Sequence, residues 1–251
     1  MHSLSSRPVR YLVLVAGLAC ALPLLHMKDV RAANNEMGSH MTMTELRSAQ
    51  PGDKQRADEI VVAARRFADR YTDYRKALAD GYTIFHPEIK QNFYHFTNNA
   101  NALQATRRFD PSRPTSLLYE KLPADRGQGV QAGYKLVGVM YTAPFQASQE
   151  ELDRRVPLSI ARWHLHSNLC LPPAGDAANM ARKDAKFGLQ GSIATAQACQ
   201  AAGGRFLPHL FGWMVHVYPY ETDTSKIWAA GMDDDHGMQH DTMPAGMDMP
   251  M

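Results

Sequence analysis

The sequence lacks the features that identify several large classes of protein. Its 251 residues include only three cysteines, too few for a small scaffold held together by many disulfides. The 27 Lys and Arg nearly balance the 25 Asp and Glu, so no excess of positive charge is available to attract a phosphate backbone. We therefore expect no nucleic-acid partner.

The signatures of common catalytic sites are also absent. The sequence contains no G-x-S-x-G, no P-loop, no G-x-G-x-x-G and no H-E-x-x-H. No close pair of carboxylates lies near the histidine-containing segments, which argues against glycoside hydrolysis. The motifs therefore leave open whether the protein is an enzyme.

No apolar run is long enough to span a bilayer. The longest covers residues 11–25, against the roughly 20 residues that a membrane helix needs. Two arginines precede it, and Val30-Arg31-Ala32 follows with the small-residue pattern of a signal-peptidase site. We predict a signal peptide over 1–32, a periplasmic or secreted location, and no membrane contact after cleavage. An uncleaved anchor and lipidation at Cys20 are the alternatives.

Cleavage after Ala32 would change both the charge and the cysteine count. It would leave 23 basic and 24 acidic residues, and only Cys170 and Cys199 among the cysteines. An even number of cysteines in an exported protein predicts a disulfide between them, with two free thiols as the alternative.

The rest of the chain divides into three predicted parts. Residues 33–53 are polar and predict a linker, residues 54–230 a single domain, and residues 231–251 a disordered tail. Early in the domain, apolar residues spaced four and three apart predict an amphipathic helix that Asp53 or Asp58 could cap. This apolar stripe consists of Ile60, Ala64, Phe67, Tyr71, Tyr74 and Leu78.

Segments rich in β-branched and aromatic residues follow the helix. They are YKLVGVMYT at 134–142, SIARWHLH at 159–166 and GWMVHVYPY at 212–220. A short helix is predicted within 192–202. We therefore predict an α+β fold, with one N-terminal amphipathic helix packed on a mainly antiparallel β-sheet or small barrel, and a disordered Met/His-rich C-terminal tail.

Four histidines lie in strand-like segments beside aromatic residues. His164 and His166 would share one face of a strand, with Trp163 on the opposite face. Together with His95 and His216 they predict a metal site, because neutral imidazole is the commonest metal ligand in proteins. Met140 and Met214 are possible soft ligands. The alternative is that these histidines are ordinary packed residues.

The C-terminal tail predicts a second place for a metal. Residues 231–251 contain six methionines, two histidines and five aspartates, and thioether sulfur is a soft ligand suited to Cu(I). The predicted ligands of the tail are His236, Met238, His240, Met243, Met247, Met249 and Met251. The predicted linker repeats the pattern with Met37, His40, Met41 and Met43. A tail that only keeps the protein soluble is the alternative.

Two resemblances accompany these patterns. The segments YHFTN, FDPSRPTSLLYE, YKLVGVMYT, WHLHSNLCLPP and GWMVHVYP resemble a group of secreted bacterial proteins of uncharacterised activity. This resemblance extends from about Ala68 to Trp228 and implies a shared domain. The tail is similar in composition to the Met/His-rich segments of periplasmic copper-resistance proteins.

The sequence thus favours an exported protein that binds or handles copper through a histidine cluster and the tail. Zinc or iron could take the place of copper in the cluster. Two other hypotheses stay open. One is a metal-dependent enzyme with a cupin-like histidine site, and the other is a structural or interaction domain that binds no metal.

Overall fold

The computed structural model describes residues 39–87, 91–123, 133–174, 180 and 184–229. The predicted signal peptide at 1–32 and the predicted tail at 231–251, with all seven of its candidate ligands, lie outside the described residues. The described chain has an α+β fold built on one antiparallel sheet of seven strands. This confirms the predicted fold class and the antiparallel sheet.

The strands are short near the N-terminus and longer toward the C-terminus. They are β1 (Met41–Met43), β2 (Thr83–Ile84), β3 (Tyr94–Thr97), β4 (Ser116–Lys121), β5 (Tyr134–Ala143), β6 (His164–Leu171) and β7 (Arg205–Val217). The helices are α1 (Asp53–Ala68), α2 (Tyr74–Ala79), α3 (Asn99–Ala105), α4 (Gln149–Arg155) and α5 (Ala196–Ala201). The order of strands across the sheet is β1-β6-β7-β5-β4-β3-β2.

The first strand lies where the sequence predicted a linker. Residues 33–53 are polar, yet Met41–Met43 pairs with β6 at one edge of the sheet. Thr44 follows as a buried residue, and its amide donates to the carbonyl of Trp163. The linker prediction is therefore wrong for this part of the segment. A three-residue strand with only alternate side chains buried gives too weak a pattern to detect from sequence.

Helix α1 buries one side, as the spacing of its apolar residues predicts. Ala57, Ile60, Ala64 and Phe67 are buried, and the last three belong to the main hydrophobic core. The helical stripe breaks after Ala68, where a 3-10 turn over Asp69–Tyr71 precedes α2. Leu78 is consequently 40% exposed, so the prediction that it faces the core is wrong.

Asp53, one of the two residues predicted to cap α1, does not cap it. Gly52 occupies the N-cap with a φ of 88° and no side chain to donate or accept. The buried carboxylate of Asp53 instead receives two hydrogen bonds from Arg47, at 2.6 and 2.9 Å, and one from the Ser159 hydroxyl at 2.6 Å. These bonds tie the start of α1 to the segment that precedes β6.

The sheet has two different faces. One face contributes Val139, Val215 and Val217 to the main core, together with the fully buried Trp163 just before β6. The other face carries a smaller cluster of Leu118, Met140, Met214 and Tyr218. Because side chains alternate along a strand, His164 lies on the side of this smaller cluster, opposite Trp163.

Cys170 and Cys199 form the predicted disulfide. The bond joins the end of β6 to α5, with Cα atoms 5.6 Å apart and a sequence separation of 29 residues. Closing a loop of this length stabilises the fold by about 3–4 kcal/mol in the chain-entropy model. In the described part of the chain, no helix is long and apolar enough to cross a membrane.

Candidate functional site

Strand register brings the predicted ligands onto one face of the sheet. His164 pairs directly with Met214, and His216 pairs directly with Met140. On the other side of β6, Met43 pairs with His164 and Met41 pairs with His166. Directly paired residues project to the same side of a sheet. We call this surface the histidine–methionine face, and its members are His95, His164, His166, His216, Met41, Met43, Met140 and Met214.

His95 reaches this face from a distant strand. In the sheet, β5 and β4 separate β7 from β3, and a flat sheet would hold the backbones of β7 and β3 roughly 14 Å apart. The ring centroids of His95 and His216 are nevertheless only 5.6 Å apart. The two side chains therefore converge from strands of a curved sheet rather than standing parallel on a flat one.

The four imidazoles form a continuous cluster. Ring centroids are 4.9 Å apart for His164 and His216, and 5.5 Å apart for His164 and His166. His164 is only 1% exposed and His216 only 7% exposed. The cluster therefore lies mostly below the surface, with His95 and His166 partly accessible at its margin.

Backbone carbonyl groups affect the two marginal rings. Phe93 raises the pKa of His95 and His40 raises the pKa of His166, in each case against the larger effect of burial. A carbonyl accepts only, so each favours a proton on the nearer ring nitrogen. A metal-binding histidine usually donates its second ring nitrogen in this way, which fixes the tautomer and leaves the other nitrogen available.

His164 has a buried nitrogen that no described residue satisfies. Its Nδ1 atom is shielded from solvent and has no hydrogen-bond partner among the residues that the structure describes. Leaving a buried polar atom unsatisfied costs about 1–3 kcal/mol. A ligand bound to this nitrogen, in the middle of the imidazole cluster, would remove that cost.

Burial keeps these imidazoles neutral at physiological pH. Desolvation, followed by repulsion from His166, lowers the pKa of His95 to about 4. Desolvation and repulsion from His166 and His95 lower the pKa of His164 to about 3, and desolvation lowers that of His166 to about 4. Neutral imidazole is the form that binds metals, so protons would not compete with a metal near pH 7.

The side chains are close to a metal-binding arrangement without already having one. Among the described residues, no group of three or more His, Cys, Asp and Glu is placed to hold a metal ion. Two imidazoles bound to one ion at about 2.1 Å would have ring centres roughly 5 Å apart. The observed separations of 4.9 to 5.6 Å match that spacing. These separations join the four rings in a chain that runs from His95 through His216 and His164 to His166.

His40 has a structural role that its place in a Met/His-containing segment did not indicate. Its Nδ1 lies 3.0 Å from the carbonyl oxygen of Asn168, and its Nε2 lies 2.5 Å from that of Gly191. A carbonyl oxygen only accepts, so in the neutral ring the one protonated nitrogen donates to its carbonyl and the other lies beside one without a hydrogen bond. His40 thereby attaches the start of β1 to the rest of the fold. Met41 and Met43 acquire their place beside the histidines through this attachment.

No family model, curated protein or solved structure matches this chain. The resemblance to secreted bacterial proteins therefore stays a prediction, and the functional argument depends on the geometry of the site.

The depressed imidazole pKa values predict acid sensitivity of the metal-free protein. In the unfolded chain these groups titrate near 6.5, so between pH 6.5 and about 4 the unfolded state binds more protons than the folded state. Stability is therefore complete above pH 6.5 and lost as pH falls through this interval. At pH 5 the loss is about 2 kcal/mol for each of the three histidines. Urea unfolding of chelator-treated protein at pH 7.5 and at pH 5 measures this loss in the free energy of unfolding.

A His95→Gln variant provides the comparison for this measurement. Glutamine can keep a hydrogen bond to the Phe93 carbonyl but does not titrate, so the variant is expected to lose about 2 kcal/mol less than the parent between the two pH values. Equal stability of the parent protein at pH 7.5 and pH 5 would contradict the assignment of neutral buried imidazoles.

Proposed function

We propose that this protein is an exported copper-binding protein whose resident site is the histidine–methionine face. The observation that carries the proposal is the sharing of one sheet face by four neighbouring imidazoles and four methionines, through the pairing of β1, β6, β7, β5, β4 and β3. Imidazole binds both oxidation states of copper, and thioether sulfur is selective for Cu(I). The combination suits copper better than it suits zinc or iron.

The burial of the cluster favours metal binding over turnover. A catalytic metal keeps an open coordination position for substrate, whereas a binding or storage site can be closed. His164 and His216 are almost fully buried, and Tyr218 lies over the site with its hydroxyl 3.5 Å from Nδ1 of His216. A metal-dependent enzyme is therefore the weaker alternative for this site. A structural domain without metal is the outcome if no ion binds.

The second part of the proposal concerns the Met/His-rich tail. Ala229 is the last described residue, and it packs against the cluster of Leu118, Met140, Met214 and Tyr218. The last described residue therefore lies beside the proposed site. In this proposal the soft ligands of the tail capture copper and deliver it to the histidine–methionine face.

The histidine pair on β6 tests the site directly. We expect His164→Ala/His166→Ala to abolish binding of one copper ion per chain, because it removes two of the four imidazoles. A cooperative melt is expected to persist, since the main core lies on the other face. Protein exported to the periplasm, purified without chelators or a His-tag, is analysed for metal content and thermal unfolding.

Two single variants separate loss of ligand from loss of fold. His209→Ala removes an imidazole of β7 that does not belong to the cluster. The His209 ring stacks on Phe145 with ring centroids 4.2 Å apart, and the variant is expected to keep full copper content. Trp163→Ala is expected to lower stability by about 3–5 kcal/mol because Trp163 fills the main core. A double histidine variant that unfolds yet keeps the copper content of the parent would refute the site.

The methionines test which metal the site selects. Met140→Leu/Met214→Leu preserves side-chain volume and apolar character, so it is expected to cost less than about 1.5 kcal/mol in stability. Because the sulfur atoms are lost, the Cu(I) dissociation constant is expected to rise at least roughly tenfold, while Zn(II) affinity stays within about twofold. Competition titrations with a chromogenic chelator for each ion measure both. Equal losses of affinity for Cu(I) and Zn(II) would show that the two methionines are not ligands.

Deletion of residues 231–251 tests the tail. The predicted ligands lost with it should lower the number of Cu(I) ions bound per chain, while thermal stability stays nearly unchanged because the main core is intact. The matched control keeps the tail length but replaces its methionines by leucine and its histidines by glutamine. Identical Cu(I) uptake in all three proteins would exclude the tail from copper binding.

A further inference from the structure

A groove on the helix-covered side of the sheet has no role in the metal-binding proposal. It lies between α1, the 3-10 turn after it and the loop that precedes β4, and it encloses about 590 Å³. Small-molecule sites in proteins usually measure roughly 300–1,000 Å³. The floor includes Tyr82 and Asn101, which are 3% and 7% exposed. The groove is therefore large enough for a small ligand and has buried polar groups at its base.

Three arginines line this groove and leave most of their donors free. Arg66 makes no hydrogen bond or ion pair with any described residue. Arg70 donates one hydrogen bond at 3.4 Å to the carbonyl of Phe67, and its guanidinium stacks over the rings of Phe67 and Tyr71. Arg113 donates one at 3.3 Å to the side-chain oxygen of Asn101. Each guanidinium carries five N–H donors, and all three residues are exposed, so the groove presents many donors that no described residue occupies.

The single acidic group at the groove is already neutralised. The carboxylate of Asp80 lies 2.8 Å from Nζ of Lys76, and hydrogen bonds from Lys76 and Tyr71 lower its pKa. Lys76 and Tyr71 are the hydrogen-bond partners of Asp80, and Arg70 acts on it only through space. With three arginines and one carboxylate, the lining carries a net positive charge.

A buried hydroxyl completes the set of donors. The Oη atom of Tyr82 accepts a hydrogen bond from the Nδ2 of Asn101 at 3.4 Å, and no described residue accepts the hydroxyl proton of Tyr82. Burial raises the pKa of Tyr82, so the hydroxyl remains a donor at all physiological pH values. An acceptor placed in the groove would satisfy this proton as well as the guanidinium groups.

We propose that this arginine groove, formed by Arg66, Arg70 and Arg113 above Tyr82, binds a small organic or inorganic oxyanion through carboxylate or phosphate oxygens. Guanidinium groups match the paired oxygens of carboxylates and phosphates, and they bind these groups with charge-assisted hydrogen bonds. The groove lies on the side of the main core, whereas the histidine–methionine face is on the other side of the sheet. The two proposals can therefore fail independently.

Isothermal titration of the metal-free mature protein with inorganic phosphate and with succinate tests this proposal, against sodium chloride of equal ionic strength. We expect saturable binding of at least one of the two anions. The Arg66→Gln/Arg113→Gln variant is expected to bind it at least roughly tenfold more weakly, since two charge-assisted contacts are lost. Phosphate binding without succinate binding would assign the groove to phosphate groups, and the reverse result would assign it to carboxylates.

The control variant is Arg107→Gln/Arg108→Gln, which removes the same charge from an exposed segment outside the groove lining. It is expected to bind the anion within about twofold of the parent. Tyr82→Phe, which keeps the ring and removes one donor, is expected to weaken binding without changing the far-ultraviolet circular dichroism. Failure of both anions to bind the parent protein, or equal weakening in both arginine variants, would overturn the proposal.

Discussion

The ladder between β6 and β7 is the contact on which the arrangement of the molecule depends. Its register shifts between His164 and His166. His164 pairs with Met214, whereas His166 pairs with Leu210. The extra residues of β7 form a bulge at Phe211, with a φ of 61°, and at Gly212, where a side chain would collide with the carbonyl of Ala143. Bulges bend a strand and increase its twist. The first half of β7 therefore pairs with β6 alone, and the second half also pairs with β5.

The alternation of side chains along the strands lets two different kinds of surface share one sheet. The face that includes Val215 and Val217 meets α1 and buries large aromatic residues. The opposite face collects imidazoles and thioethers, and it keeps a nitrogen of His164 without a partner among the described residues. Apolar residues at the same positions would give a more stable fold, because buried imidazole is costly unless its nitrogens are bound. Such local cost in an otherwise consistent fold is typical of functional sites.

The sequence was informative where the physical signal is local. Alternation places His164 opposite Trp163, the spacing of apolar residues locates α1, and the cysteine count expected for an exported chain predicts the Cys170–Cys199 bond. The approach of His95 to His216 depends on the curvature of the sheet, which no local pattern encodes. Strand β1 was missed because three residues carry almost no periodicity. The arginine groove was missed because Arg66 and Arg113 lie far apart in the chain and come together only by packing.

The attachment of β1 has a consequence for when the site comes into existence. Ser39 and Asn168 are 129 residues apart in sequence, and the hydrogen bond from the Asn168 side-chain amide to the Ser39 carbonyl holds the edge strand that carries Met41 and Met43. Contacts of such long range form late, because the entropy of closing a large loop must be lost before they contribute. Before these contacts form, the histidines and methionines of the chain are displayed only singly. The histidine–methionine face therefore exists only in the folded chain, and the compartment in which the chain folds determines which ion that face meets first.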